Sequence, residues 1–181
     1  MAIPVMGQTV DTTLWSSARI ARYNEVSKMK FDDPAIATLS IPRIGLEAAI
    51  FRGSDELTLD RGLGWIPSTA EPGSPGNTGI AGHRDSFFRP LKDLVLDDRI
   101  ELRTENASRT YIVRSMTVVT PKQVEVLAPT SDAVLTLVTC YPFFAPGDAP
   151  NRMIVRAIAS DSIYARAGAS AADSLSGSSE R

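Results

Sequence analysis

The strongest constraint on the fold lies after residue 34, where short β-rich segments alternate with turn residues. Seven segments have the composition of strands: residues 37–41, 44–51, 78–82, 99–104, 109–120, 134–139 and 152–160. The connections between them are rich in proline and glycine, and residues 67–77 alone contain three prolines and two glycines. Seven or eight short strands with little helix predict an all-β domain, either a closed barrel or a sandwich.

Helical patterns occur in three short stretches. Residues 11–26 place small and apolar groups on one face, with Asp11 or Thr12 as a candidate N-cap, and we expect a peripheral arm there. Residues 56–62 predict a helical turn. Residues 87–94 predict a second short helix, for which Asp85 is the candidate cap.

The chain divides into three parts. Residues 1–34 form the N-terminal helical arm, residues 35–162 the β-domain, and residues 163–181 a tail. Twelve of the seventeen residues from 165 to 181 are Ala, Gly or Ser, so this tail cannot bury a core and is predicted to be disordered.

Composition narrows the function classes. Hydrophobic residues make up 43% and charged residues 22% of the 181-residue chain, as in ordinary globular domains. A net charge of −2 gives no sign of a nucleic-acid partner or of an anionic membrane surface. The longest charge-free run of the β-domain, residues 133–147, is shorter than the about 20 residues that a membrane span needs, and residues 1–10 lack a signal-peptide pattern.

The chain has a single cysteine, Cys140, and a single histidine, His83. These counts exclude a disulfide framework and a zinc site made of Cys/His clusters. Both residues lie at predicted strand ends, and Arg152 follows Cys140 by twelve residues at the start of the last strand. If the last two strands pair in antiparallel fashion, Cys140 and Arg152 face each other, and a thiol, an imidazole and a guanidinium can meet.

These residues lie in segments that resemble the sortase family of cysteine transpeptidases. Thr-Leu-Val-Thr-Cys at residues 136–140 resembles the TLxTC signature, and Arg152 falls where the sortase arginine falls. Residues 77–84 resemble the sortase histidine segment, and the variants at residues 82–88 and 139–143 are most similar to class D sortases. The resemblance covers residues 38–160. Trp15 to Tyr23 also resembles the helix that follows the membrane anchor in such proteins, which implies a juxtamembrane arm.

The resemblance implies a closed eight-stranded β-barrel on the extracytoplasmic face of the bacterial membrane, held by an anchor that this sequence does not include. Members of the sortase family cleave LPxTG-type sorting signals of secreted proteins and pass the acyl group to an amine acceptor on the envelope. No cofactor is implied. Calcium, which some sortases bind, is not assigned to particular carboxylates here, and we expect Asp97, Asp98 and Glu101 to be solvated charges.

The resemblance also implies a role for each site residue. Cys140 is the nucleophile that forms a thioester, His83 exchanges protons with the leaving and incoming amines, and Arg152 stabilises the oxyanion. Thr139 is assigned a supporting role. No acidic residue is needed to orient the histidine in this arrangement.

The residues alone leave one alternative of a different class. A lone cysteine is more often a small buried hydrophobe than a nucleophile. A non-catalytic β-barrel binding module with a buried structural cysteine would also fit the composition and the strand pattern.

Overall fold

The computed structural model describes residues 10–144 and 147–161, which form a closed β-barrel of eight strands. The strands are β1 (Ala37–Ile41), β2 (Leu46–Arg52), β3 (Leu63–Trp65), β4 (Asn77–Ala81), β5 (Arg99–Thr104), β6 (Ser108–Val119), β7 (Val134–Tyr141) and β8 (Asn151–Ala159). Their order around the barrel is β1-β2-β3-β4-β7-β8-β6-β5, and pairing of β1 with β5 closes it. The predicted eight-stranded barrel is confirmed.

Two of the strand pairs are parallel, and one of them sets up the candidate site. β2 pairs with β3 and β4 pairs with β7 in parallel, while the other neighbours are antiparallel. In the β4–β7 pair Ala81 is the partner of Val138. Because parallel strands end at the same edge of a sheet, the residues that follow β4 lie beside the last residues of β7.

The core fills the inside of the barrel with the alternate side chains of the strands. On β7, Leu135 and Leu137 point inward and are fully buried, as is Val155 on β8. Cys140 belongs to the opposite, outer set of β7, because side chains alternate along a strand. The outer set is where a substrate can reach the barrel.

Two helices lie among the described residues: α1 (Ser17–Val26) and α2 (Glu56–Arg61). The helix predicted from residue 11 begins only at Ser17, because Ser16 is the N-cap and accepts from the Arg19 backbone N–H. Asp11 instead accepts from the Thr13 backbone N–H in a turn. Three 3₁₀ turns complete the assignment, at Pro42–Ile44, Arg89–Asp93 and Val124–Leu127.

The segment around residues 87–94 differs from the α-helix expected there. Its backbone bonds run from residue i to i−3, as in Leu91 N–H to Phe88 O and Leu94 N–H to Leu91 O. Asp85 does not cap this turn, since Phe88 is the N-cap position and has no side-chain bond. The carboxylate of Asp85 instead accepts a hydrogen bond from the Ser16 hydroxyl at 3.1 Å.

Helix α1 packs on the barrel, where the sequence predicted only a peripheral arm. Trp15 and Tyr23 contact Phe87 edge to face, with ring centroids 4.6 Å and 5.9 Å from it. Val26 at the end of the helix is buried. The helix is therefore anchored next to the residues that follow β4.

Two further sequence predictions concern the C-terminal tail and membrane-spanning helices. The predicted tail, residues 163–181, lies outside the described residues. Among those described, no helix is long and apolar enough to cross a membrane.

Candidate active site

Cys140 and Arg152 face each other across the last strand pair. They are Cα partners in the antiparallel ladder of β7 and β8, as the twelve-residue spacing predicted. Arg152 Nη1 donates to the carbonyls of Ala149 and Asn151, at 3.2 Å and 2.9 Å. Among the described residues, neither Asp148 nor another acid forms an ion pair with Arg152, and its Nη1 bonds are to backbone carbonyls.

The backbone brings His83 to the same edge of the barrel. The Gly82 N–H donates to Val138 O at 3.2 Å, and the Thr139 hydroxyl donates to Gly82 O at 2.8 Å. These bonds continue the parallel β4–β7 pairing by one residue. Continued by one further residue, the same register makes His83 and Cys140 neighbouring positions along the chain edges.

Gly82 is required by packing at this crossing. A Cβ there would lie 2.6 Å from Phe88 Cδ2 and 2.8 Å from Leu63 Cδ2, and both neighbouring side chains are fully buried. A side chain would push the histidine segment away from β7. The glycine before His83 is thus a positioning feature.

Thr139 is buried, with 2% of its surface exposed, and belongs to the inward-facing set of β7. Its hydroxyl proton is committed to the Gly82 carbonyl. The residue ties the end of β4 to β7, directly between the positions of His83 and Cys140.

The loop that follows Cys140 is tied to the histidine segment by two arginines. Arg84 donates to Pro142 O at 2.7 Å and to Gly147 O at 2.6 Å. Arg89 donates to Phe143 O at 2.7 Å. The loop between β7 and β8 is therefore held over the end of β4.

The outer face of the barrel next to Cys140 is apolar. Ala81, Val138 and Ile154 lie in one row across β4, β7 and β8 and share the outer face with Cys140. The connection between β6 and β7 borders this face, because Asn77 Nδ2 donates to the carbonyls of Val126 and Ala128. Apolar residues on this floor suit an apolar peptide segment.

His83 is in an unusual electrostatic setting. Its side chain is 11% exposed, and its Nε2 is buried with no hydrogen-bond partner. Burial lowers the pKa of His83 because it penalises the charged form, and the nearby Arg19 lowers it further. The carboxylates of Glu56, Asp60 and Asp85 act in the opposite direction.

Two acidic residues near His83 were not predicted. Nε2 lies 3.4 Å from Glu56 Oε1 and 3.6 Å from Asp60 Oδ1. A signal was present in the sequence, because residues 56 and 60 are four apart in a predicted helical turn and so share one face. What the sequence did not show is that this face meets the histidine.

The three side chains of Glu56, Asp60 and His83 have ligand atoms within 4.8 Å of one another, a spacing that a metal ion could use. Arg19 Nη1, however, already contacts both carboxylates, at 3.0 Å and 2.9 Å. The cation held by this cluster is therefore the guanidinium, and we assign no metal ligands here.

The expectation that Asp98 is a solvated charge is wrong. Its side chain is 6% exposed, pairs with Arg43 and accepts from the Val95 N–H at 2.8 Å. The bond from Arg43 lowers the pKa of Asp98. Asp97 pairs with Arg114. These acids stabilise the turn before β5, away from Cys140.

Comparison with known proteins identifies the family. The family model that describes the sortase domain matches residues 39–160 of this chain. The chain belongs to the sortase family. Its match to sortase D of Bacillus subtilis (strain 168) is 31% identical over 122 residues, which is 67% of this chain and 62% of that protein. The chain spans between 50% and 62% of the length of the three curated sortases that it matches.

Solved sortase structures share the barrel. A Clostridium perfringens sortase D5, described as a transpeptidase, is 28% identical with a TM-score of 0.64, over 77% of this chain and 87% of that one. Sortase A from Corynebacterium diphtheriae is also 28% identical, with a TM-score of 0.65, over 88% of this chain and 74% of that one. The sortase fold therefore covers the barrel and its site edge.

Proposed function

We propose that this chain is a sortase-type cysteine transpeptidase, which cleaves an LPxTG-like sorting signal and transfers the acyl group to an amine. The observation that carries the proposal is the ladder pairing of Cys140 with Arg152, beside the segment that bears His83. Membership of the sortase family supports the reaction class. The names of the relatives, sortase D and a sortase D5 transpeptidase, support it as well.

Cys140 is the nucleophile of the first step. Its Sγ attacks the carbonyl carbon of the threonine in the sorting signal, and the tetrahedral intermediate then breaks the bond to the following amide nitrogen. The products are a thioester on Cys140 and a free amine. An amine acceptor attacks the thioester in the second step, forms a new amide and returns the sulfur to the enzyme.

His83 carries the proton between these steps. In the first step it takes the thiol proton of Cys140 and gives it to the leaving nitrogen, and in the second step it takes a proton from the incoming amine and returns it to the sulfur. A single imidazole can serve both directions because the two steps are the reverse of each other in proton flow. Its position one residue beyond Gly82, beside Cys140, suits this role.

Arg152 stabilises the negative charge that develops on the carbonyl oxygen. Its guanidinium stays charged at any working pH and offers two parallel N–H groups to an oxyanion. The bonds from Nη1 to Ala149 O and Asn151 O hold the side chain at the base of the loop. Thr139 supports the site by fixing the strand edge between His83 and Cys140.

The substrate class follows from the apolar row on the outer face. Ala81 and Val138, which are half-buried in this row, offer no charge to a bound peptide, which suits the leucine and proline of an LPxTG-like signal. Secreted proteins with such signals are the proposed donors, and an envelope amine is the proposed acceptor. We accordingly place the enzyme at the extracytoplasmic face of the bacterial membrane.

A peptide panel tests the proposal. Fluorogenic peptides of LPxTG type are incubated with the protein and with competing amines, and the products are read by mass spectrometry. We expect cleavage after the threonine, a mass on Cys140 that corresponds to the thioester, and a new amide with one of the amines. No cleavage of any peptide and no adduct on Cys140 would contradict the proposal.

A thiol-reactivity assay separates it from the binding-module alternative. Cys140 is partly exposed, so we expect a thiol reagent to label the native protein and substrate peptide to slow the labelling. Labelling that begins only when the fold melts would favour a structural cysteine.

A further inference from the structure

Helix α1 reaches the candidate active site through one arginine. Arg19 Nη1 donates to Glu56 Oε1 at 3.0 Å and to Asp60 Oδ1 at 2.9 Å. These are the same two oxygens that lie nearest to His83 Nε2, at 3.4 Å and 3.6 Å. A guanidinium nitrogen and an imidazole nitrogen thus face one shared pair of oxygens.

The contacts on the two sides of these oxygens are unequal. The distances to Arg19 fall in the range of charge-assisted hydrogen bonds, whereas Nε2 has no hydrogen-bond partner. Arg19 has therefore taken the bonds that the imidazole would otherwise form. The consequence is a histidine that stands next to two acids without being paired to either.

The charged groups that shift the pKa of His83, namely Arg19, Glu56, Asp60 and Asp85, belong to one network on the side of the ring that faces α1 and α2. Cys140 and its ladder partner Arg152 lie outside this network. Arg19 and Arg22 come from α1, Glu56 and Asp60 from α2, and Asp85 from the segment of His83 itself. Arg19 also donates through Nε to Asp85 Oδ1 at 3.0 Å. Three acids thus surround one arginine next to the ring.

Asp60 is the buried centre of this network. Its side chain is 1% exposed, and Arg22 Nε donates to its second oxygen at 2.8 Å. A carboxylate this deeply buried is stable only when it is paired. The two arginines of α1 satisfy that need without the histidine.

We propose that Arg19 is a positioning residue for His83, because it holds the two carboxylate oxygens that would otherwise bind Nε2. The proposal extends the proton-transfer role of His83 and rests on the proposed function in that respect. Without Arg19, Glu56 and Asp60 would accept from Nε2 and hold the ring as a paired imidazolium. With Arg19 in place, the ring stays neutral and unpaired in the free enzyme.

An unpaired ring suits the two half-reactions. A proton carrier must give up its proton to the leaving nitrogen and take another from the acceptor amine, so neither protonation state can be strongly favoured. A buried imidazolium between two carboxylates would retain its proton. Helix α1 is by this inference part of the active site.

The test measures the titration of the only histidine in the chain. His83 gives a single set of imidazole signals, so its midpoint can be followed by NMR in the full chain without ambiguity. In Arg19→Gln the cation is lost and the two oxygens become available, so we expect the midpoint to move to higher pH. The acidic limb of the pH–rate profile for peptide cleavage should move with it.

Two matched variants separate positioning from simple anchoring of the helix. Arg22→Gln removes an arginine of the same helix from the oxygen of Asp60 that does not face His83. We expect a smaller shift of the histidine midpoint in Arg22→Gln than in Arg19→Gln, and we expect both variants to lower the melting temperature because each loses a bond to Asp60. Arg19→Lys keeps the charge, and its midpoint should stay closer to that of the wild type than the midpoint of Arg19→Gln.

The result that overturns the inference is a histidine midpoint in Arg19→Gln that equals that of the wild type. Equal shifts in Arg19→Gln and Arg22→Gln would overturn it too, because general loosening of α1 would then explain both. The titration requires no substrate. An inactive wild-type protein would contradict the proposed function while leaving the measurement on His83 intact.

Discussion

The Cα atoms of Cys140 and Arg152 are direct cross-strand partners in the antiparallel ladder of β7 and β8. Side chains of such partners leave the sheet on the same face, with Cβ atoms about 4.5–5.5 Å apart. Strand pairing therefore places the thiol of Cys140 next to the base of the Arg152 side chain. This placement does not depend on the conformation of the long loop between β7 and β8. Bonds to backbone carbonyls then orient Arg152.

Replacement of Cys140 should separate activity from stability. Cys140→Ala is expected to abolish peptide cleavage while changing the free energy of unfolding by no more than about 0.5 kcal/mol, because the thiol is partly exposed at a strand end. Cys140→Ser should also be inactive, since a hydroxyl lacks the nucleophilicity of a thiolate. A serine variant that keeps a tenth of the activity would speak against the assigned role.

Arg152→Lys is expected to lower the rate of thioester formation by about 10²–10³-fold, because lysine cannot offer two parallel N–H groups to the oxyanion. Single-turnover measurements of acylation check this. Arg156→Lys is the matched control. Arg156 lies on the same strand face opposite Thr136 and Ser115, about 13 Å further along, and its replacement should cost little.

A second control for the role of Arg152 concerns the loop between β7 and β8. Arg152 forms no ion pair with Asp148 in the part of the chain that the structure describes, and bonds instead to the carbonyls of Ala149 and Asn151. Asp148→Ala should therefore leave activity nearly unchanged. Equal losses in Asp148→Ala and Arg152→Ala would reduce Arg152 to an anchor of the loop.

Gly82→Ala should damage both fold and activity. The new Cβ would meet Phe88 Cδ2 at 2.6 Å and Leu63 Cδ2 at 2.8 Å, in a fully buried place. Overpacking of this kind costs about 1–3 kcal/mol of unfolding free energy. Denaturant titration and peptide cleavage, measured on the same preparation, check the two effects. Unchanged stability would mean that the histidine segment moves aside freely.

Thr139→Val tests the tie between the two parallel strands. The replacement keeps the shape of the side chain but leaves the buried Gly82 carbonyl without its donor, at an expected cost of about 1–3 kcal/mol in unfolding free energy. Thr139→Ser retains the hydroxyl and should recover most of this loss. If valine and serine were equally stable, the bond would contribute nothing measurable.

The pH dependence of stability should reveal His83. Because burial and Arg19 lower its pKa in the folded state, the unfolded chain binds more protons once the pH falls below about 6.5. The contribution of His83 to stability is thus fully present above this pH, and it declines as the pH falls towards the folded-state pKa of His83. Acids with lowered pKa values, such as Asp98, change the stability with pH only nearer to pH 4 and below.

Denaturant unfolding at pH 7.5 and at pH 5.5 measures this contribution. The wild type should be less stable at the lower pH, and His83→Gln should lose most of that difference. A difference of the same size in both proteins would show that other groups are responsible.

Local sequence patterns determined most of the barrel. The predicted bounds of β1 and β5 match the structure, and those of the other predicted strands differ by at most two residues at either end. Strand β3 was missed because it is three residues long and contains Gly64. Its backbone passes so close to that of Gly53 that a Cβ at position 64 would lie 2.3 Å from Gly53 O. Such a close approach belongs to the packed structure and leaves no periodic pattern in the sequence.

The trio of Cys140, His83 and Arg152 stays a prediction of the sequence, drawn from scarce residue types and from one spacing, and the structure shows the pairing of Cys140 with Arg152 that this spacing indicated. Cys140 and Arg152 lie on strands that follow each other in the sequence, and such strands commonly pair in antiparallel fashion. The sequence by itself therefore determined the strand pattern and the scarce chemical groups from which the candidate site is proposed.

Only the tertiary structure decided how those groups are surrounded. The contact of Arg19 with Glu56 and Asp60 joins residues 37 and 41 positions apart, and the bond to Asp85 spans 66 positions. No local pattern encodes such distances, because they depend on how α1 and α2 pack against the completed barrel. Burial of Asp60 and of His83 Nε2 arises from the same packing. The charge environment of the histidine is thus a property of the folded chain, although its position in the sequence was evident.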